Sequence, residues 1–194
     1  MHIIEDGKGT GQKAEVTEDN QVSVRSESIP SEGYQAQSGK AIIIHGECHT
    51  SASSSGGFMQ ITNNDTNFDL EVTRIYIDPH VLTPADLIVT QVFDATGSGG
   101  SDGSIIQKNR NTAETFDLTV KISDASSDLT YTGGDQYHAF PVKSMTGVQS
   151  DMNATNRIPA GKSILFGWKT AGGGNATDGE VVSFSVNVIK RSRS

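Results

Sequence analysis

One cysteine, five prolines and one tryptophan in 194 residues leave this chain few devices that staple or anchor a fold. A single thiol, Cys48, excludes an intrachain disulfide, so stability has to come from burial and backbone pairing, as suits assembly in a reducing cytoplasm. Basic charge is also scarce. Against 23 Asp and Glu there are 15 Lys and Arg, giving a net charge of −8 and a pI near 5.0, which argues against a surface built to neutralise nucleic-acid phosphates. The one basic cluster, Lys190-Arg191-Ser192-Arg193-Ser194, reads as a short charged end that solvates a terminus. Long apolar runs are missing as well. No stretch approaches the roughly 20 apolar residues of a membrane helix, and Met1 to Asp6 lacks the basic flank and apolar core of a leader peptide, so neither a membrane span nor a cleaved signal is expected.

What is present is glycine and period-2 alternation. Val182, Phe184, Val186 and Val188 alternate with Ser183, Ser185 and Asn187, the pattern of a strand with one buried and one wet face. Leu118, Val120 and Ile122 repeat it. Leu70 and Val72 lie on one parity and Ile75 and Ile77 on the other, which points to a bulge or a change of environment within one strand. Strands are predicted over 41–48, 58–62, 68–78, 87–95, 104–108, 115–123, 137–142, 162–169 and 180–189, separated by glycine-rich turns such as Thr96 to Gly100, Tyr131 to Asp135 and Ala171 to Asn175. No sustained 3.6-residue period appears, and a single helical turn at Thr83-Pro84-Ala85-Asp86 is the best helical segment. This predicts an all-β protein, an antiparallel β-sandwich that is jelly-roll-like, since an immunoglobulin Cys, Trp, Cys spacing is absent.

Residues 1–30 differ from the rest. Turn formers and charge fill Asp6 to Gly11, and then Ala14, Val16, Val22 and Val24 alternate around Glu18-Asp19-Asn20, the pattern of a small hairpin or an extended arm. Too few large apolar groups are present for an independent core, so the segment needs a surface to lie on. Ile29-Pro30-Ser31-Glu32-Gly33 marks the boundary, with one β-sandwich domain expected over 31–194.

Few residue patterns suggest chemistry. His45, Glu47 and His49 share one face of a predicted strand, and two imidazoles with a carboxylate are a plausible divalent-metal set; a half-exposed strand with Ile42, Ile44 and Cys48 inward is the simpler expectation. The run Asp94 to Asp102 faintly resembles a calcium-binding turn but is a single copy, and is expected to be a solvated loop. As phosphate loops, Gly7 to Gly11 lacks a preceding strand and following helix, and Ala160 to Ser163 has Asn156 where the first glycine belongs and runs into a strand. None of the histidines sits beside a nucleophile-elbow serine, so no enzyme, catalytic set or cofactor is expected. Trp168 with Phe166, and Tyr131 with Tyr137 across a glycine turn, suggest a sugar-stacking face, with core packing the simpler expectation for Phe166 and Trp168.

The stretch Gly7-Lys8-Gly9-Thr10-Gly11-Gln12-Lys13-Ala14-Glu15-Val16-Thr17-Glu18-Asp19-Asn20-Gln21-Val22-Ser23-Val24-Arg25-Ser26 resembles the opening of virion structural proteins of tailed bacteriophages. In those, a glycine-rich start leads through an Ala-x-Val segment and an Asn turn into a second short strand. The resemblance covers roughly the first 30 residues, and it implies a capsid decoration or cement protein, with a jelly-roll body, homotrimeric assembly and the major capsid protein as partner. It implies a place on the capsid surface of a virion assembled in the host cytoplasm. On the physics of the segment, Lys13, Ala14, Val16, Val22, Val24 and Arg25 are the residues expected to meet the partner, by adding strands to a neighbouring subunit's sheet. The alternative is a tail, fibre or adsorption protein that binds a host glycan through Tyr131, Tyr137 or Trp168.

Overall fold

The computed structural model describes residues 2–5, 13–16, 22–23, 38–80, 82, 86–108, 114–143, 145–151 and 156–192. The chain divides into two units, Met1–Pro30 and Ser31–Ser194. In the first, β1 (His2–Glu5), β2 (Lys13–Val16) and β3 (Val22–Ser23) form an antiparallel sheet in the order β1-β2-β3. His2 lies opposite Val16 and Val16 opposite Val22, so the chain reverses between Val16 and Val22 as a hairpin and then gains a third strand from its start. Val24 and Arg25 lie outside the described residues.

The described residues of the second unit form strands joined by turns and irregular chain. In chain order it contains β4 (Ala41–His49), β5 (Ser55–Asn63), β6 (Phe68–Pro79), β7 (Leu87–Phe93), β8 (Thr96–Gly99), β9 (Ser101–Asp102) and β10 (Ser104–Gln107). There follow β11 (Leu118–Ile122), β12 (Leu129–Thr132), β13 (Asp135–Val142), β14 (Val148–Asp151), β15 (Arg157–Ile158), β16 (Ser163–Thr170) and β17 (Val181–Ser192). All described pairings are antiparallel. One sheet runs β10-β4-β17-β6-β14, with β15 also on β6, and the other runs β13-β7-β16-β5-β11-β9, with β12 joining β5 to β8. Set aside the segment from β8 to β12, and the remaining orders are β4-β17-β6-β14 and β5-β16-β7-β13. The first of these eight strands then pairs with the last, the second with the seventh, the third with the sixth and the fourth with the fifth, which is the wrapping of a jelly roll.

Each of the nine sequence-predicted strands is present. Five more, β8, β9, β12, β14 and β15, are short and poor in apolar residues, so no alternation marked them. The parity change in β6 is a bulge: Val72 faces Val188 and Arg74 faces Asn187, which makes Thr73 the extra residue. Of the expected helical turn at Thr83 to Asp86, residues 83–85 lie outside those described.

The core lies between the sheets. Phe184 of β17 meets Phe166 of β16 at 5.1 Å and Phe58 of β5 at 6.1 Å between ring centroids, and Phe58 also meets Trp168 at 5.9 Å. Full burial of such side chains is worth about 1.5–3 kcal/mol each, and they sit among Ile42, Ile44, Ile75, Ile77 and Val186. A smaller cluster of Val92, Ala95 and Leu165, with Tyr131 packed on it, lies on the outer side of the second sheet, where the β8–β12 segment folds over. Gly167 permits this approach, because a Cβ there would stand 2.7 Å from the Tyr131 hydroxyl.

The basic end does not simply solvate a terminus. β17 continues alongside β6 as far as Ser192, opposite Phe68, and this carries Lys190 and Arg191 into a set of carboxylates. Lys190 is only 5% exposed; its ammonium lies 3.3 Å from Asp65 and 3.6 Å from Glu114, donates to the Thr115 carbonyl, and sits 5.0 Å from the Phe68 and 4.9 Å from the Phe116 ring centres. Arg191 Nε donates to Glu71 at 2.6 Å. Charge-only reading missed this because the partners are distant in sequence and converge only through strand pairing.

Candidate functional site

β4 places His45, Glu47 and His49 on its outward side and Ile42, Ile44 and Cys48 inward. His45 Nδ1 lies 2.8 Å from Ser185 Oγ of the neighbouring β17. The shared face is as the sequence predicts, but the metal set is not formed. Among the described residues no group of three or more His, Cys, Asp or Glu side chains is placed to hold a metal ion. The reason is geometric: residues at alternate positions of one strand are spaced about 6.5 Å apart, so three of them span about 13 Å, whereas metal ligands converge to about 2 Å from the ion.

These three side chains instead line a cleft of about 510 Å³ between β4 and the turn that follows β11. The far wall is built from backbone bonding. Ser123 donates its N–H to the Phe58 carbonyl at 2.9 Å, and its own carbonyl accepts the His49 N–H at 2.9 Å, which ties the end of β4 and the end of β11 to the interior of β5. The chain then turns tightly, with Asp124 and Ser127 exchanging backbone hydrogen bonds. Asp124 Oδ1 accepts from Ser126 Oγ at 2.7 Å, Ser126 N at 2.9 Å and Ser127 N at 3.0 Å. Hydrogen bonds from the Ser126 and Ser101 side chains and from the turn's backbone hold its carboxyl down at about 2, so it is ionised across the physiological range. Ile122 forms the apolar floor, 3.1 Å from where a Cβ on Gly46 would stand. An adjoining cleft of about 260 Å³ shares His49, Asp124, Ala125 and Ser126 and adds Asp128 and Asp178.

The near wall is a strand with an open side. β10 pairs with β4 only from Ile42 to His45, ending at Ser104 opposite His45. Lys108 donates to the Ala41 carbonyl and His49 donates to Ser123, so the odd-numbered residues of β4 turn their backbone groups toward this side. Strand alternation puts the N–H and C=O of Glu47 there too, in the gap between Ser104 and Ser123. His49 Nδ1 is buried without a hydrogen-bond partner among the described residues.

The sugar-stacking set does not assemble. Trp168 is 1% exposed in the core, its indole Nε1 lying 2.9 Å from where a Cβ on Gly56 would stand. Phe166 is fully buried. Tyr131 covers Gly167 on the opposite side of the same sheet, and only Tyr137, 44% exposed at the irregular step of the edge strand β13, faces solvent. Cys48 is enclosed in the core, where burial, with the negative charge of Asp124, raises its thiol pKa and keeps it protonated.

Comparison of the chain with protein-family models, with curated proteins and with solved structures returned no match.

The cleft is only half legible in the sequence. Its β4 wall follows from alternation, whereas Ser104 comes from the start of β10 and Asp124 from a turn elsewhere in the chain. The one local signal for the second wall is Asp124-Ala125-Ser126-Ser127, an aspartate followed at two and three positions by serines, which is how a carboxylate closes a turn on its own backbone. The glycine-rich loop from Asp94 is neither a plain loop nor a calcium turn: it forms β8 and β9, and Asp94 itself pairs with Lys162 at 2.5 Å.

Proposed function

We propose that this chain is a non-enzymatic virion structural protein, a capsid decoration or cement protein that stabilises a phage head. Its N-terminal unit anchors it to the major capsid protein, and its jelly-roll body makes homotrimeric contacts at the capsid surface. The observation that carries the reading is the N-terminal sheet: three strands of four, four and two residues, β1-β2-β3, whose outer strands have no further strand partner among the described residues. A sheet this small is marginal alone, and its edge backbone groups gain most by pairing with another subunit. The likeness of Gly7 to Ser26 to phage virion proteins supports the same role. Repetition of a weak strand contact over a capsid lattice multiplies it by avidity.

A glycan-binding tail role has less support, since Trp168 is inside the core and Tyr131 is packed on Gly167. Imaging of particles assembled with and without the chain tests the proposal. A regular layer of external capsid density should vanish with the protein, and the heads should open at lower temperature. Loss of density from the tail, with an unchanged capsid surface, would refute it.

A further inference from the structure

The cleft beside Glu47 combines an open strand position, uncompensated negative charge and an apolar floor. We propose that it is a docking slot for an extended peptide segment of a partner protein that inserts a lysine or arginine side chain. This does not depend on where the protein sits on a particle.

The backbone part of the site is the continuation of β10. That strand occupies the outer side of β4 as far as His45, and the next backbone groups on that side, those of Glu47, face the cleft. A partner residue laid there in extended conformation pairs with Glu47 as one more rung of the same ladder, which is strand addition on a short scale.

The charge part selects the side chain. Glu47 is exposed and has no cationic partner among the described residues, Asp124 is ionised, and no lysine or arginine lines the cleft. The adjoining cleft adds Asp128 and Asp178, so field from both clefts favours a cation and opposes an acidic segment. Ile122 suits the long apolar stem that lysine and arginine carry below the charged head. A planar guanidinium also matches two carboxylates better than a neutral head would. A volume of about 510 Å³ accommodates that side chain with a short length of backbone.

The test uses the full chain, ¹⁵N-labelled, titrated with a blocked pentapeptide of alternating threonine and valine with arginine at its centre. A control peptide has glutamate at the centre. Saturable shifts of the Glu47, His49 and Ser126 amides are expected with the arginine peptide, with at least tenfold weaker binding of the glutamate peptide. Glu47→Gln should weaken the arginine peptide about threefold or more while leaving the spectrum otherwise native, because the exposed Glu47 side chain holds none of the described residues in place. Asp135→Asn, on the distant edge strand β13, should leave binding unchanged. Absence of shifts at these amides, equal binding of the two peptides, or undiminished binding by the Glu47→Gln protein would each overturn the proposal. The particle-imaging result is independent of all three.

Discussion

Lys190 and Asp65 meet ammonium to carboxylate at 3.3 Å, where the end of β17 passes the start of β6, with the two side chains only 5% and 12% exposed. Glu114 lies 3.6 Å from the same ammonium, and the Phe68 and Phe116 ring centres lie 5.0 and 4.9 Å from it. A cation withdrawn this far from water is tolerated because it is paired and hydrogen-bonded; removing it strands the Asp65 charge.

Lys190→Met should therefore destabilise the jelly roll. Breaking a buried pair from one side costs about 3–5 kcal/mol, and the lower end is expected here because Glu114 stays open to water. Urea unfolding followed by tryptophan fluorescence measures it, since Trp168 reports on the core. An unchanged midpoint would mean that the pair contributes nothing.

Asp65 at this site and Asp124 in the cleft beside β4 together make stability depend on acid. Burial alone would raise the Asp65 carboxyl, but the Asn67 N–H, the Lys190 ammonium and the Phe68 N–H together pull it below its ordinary 3.8, and Asp124 is held at about 2. Both folded values are depressed, so below the ordinary value the unfolded chain takes up protons that the folded chain refuses. The stabilisation is complete above that value and is lost as pH falls through it toward the folded values. Melting temperatures measured between about pH 5 and about pH 2 should fall steadily, and Asp65→Asn should flatten part of that slope.

Gly99 tests the β8–β12 segment. Its φ is +78°, and a Cβ there would stand 2.3 Å from the Asp128 carbonyl oxygen, a backbone atom that cannot swing aside. Gly99→Ala should cost about 1–3 kcal/mol. Amide exchange should speed up in β8 and β12 before the core strands. Uniform protection across the variant would show that the segment is not an addition laid on the sandwich.

Sequence patterning revealed those parts of the fold that obey a local rule. Val182 to Val188 alternates because β17 lies at the centre of a sheet with one buried face, and the parity change at Thr73 is visible because a bulge inserts one residue into an otherwise regular period. β8, with the sequence Thr-Gly-Ser-Gly, carries no such signal, since it lies over a sheet and is held by pairing with β12. The same limit applies to the cleft. His45, Glu47 and His49 share a face, and do not converge on an ion, by the geometry of a single strand, but the slot they line is completed by Asp124 from a turn and Ser104 from the start of β10, which no spacing rule connects to β4. Lys190 was hidden for the same reason.

That the N-terminal unit is the anchor is tested most directly by removing it. A chain lacking residues 2–28 should keep a strand-rich spectrum and a single unfolding transition, yet fail to cosediment with particles stripped of the protein, which the full chain rebinds. Stoichiometric binding by the shortened chain would contradict the assignment of the anchor to that sheet.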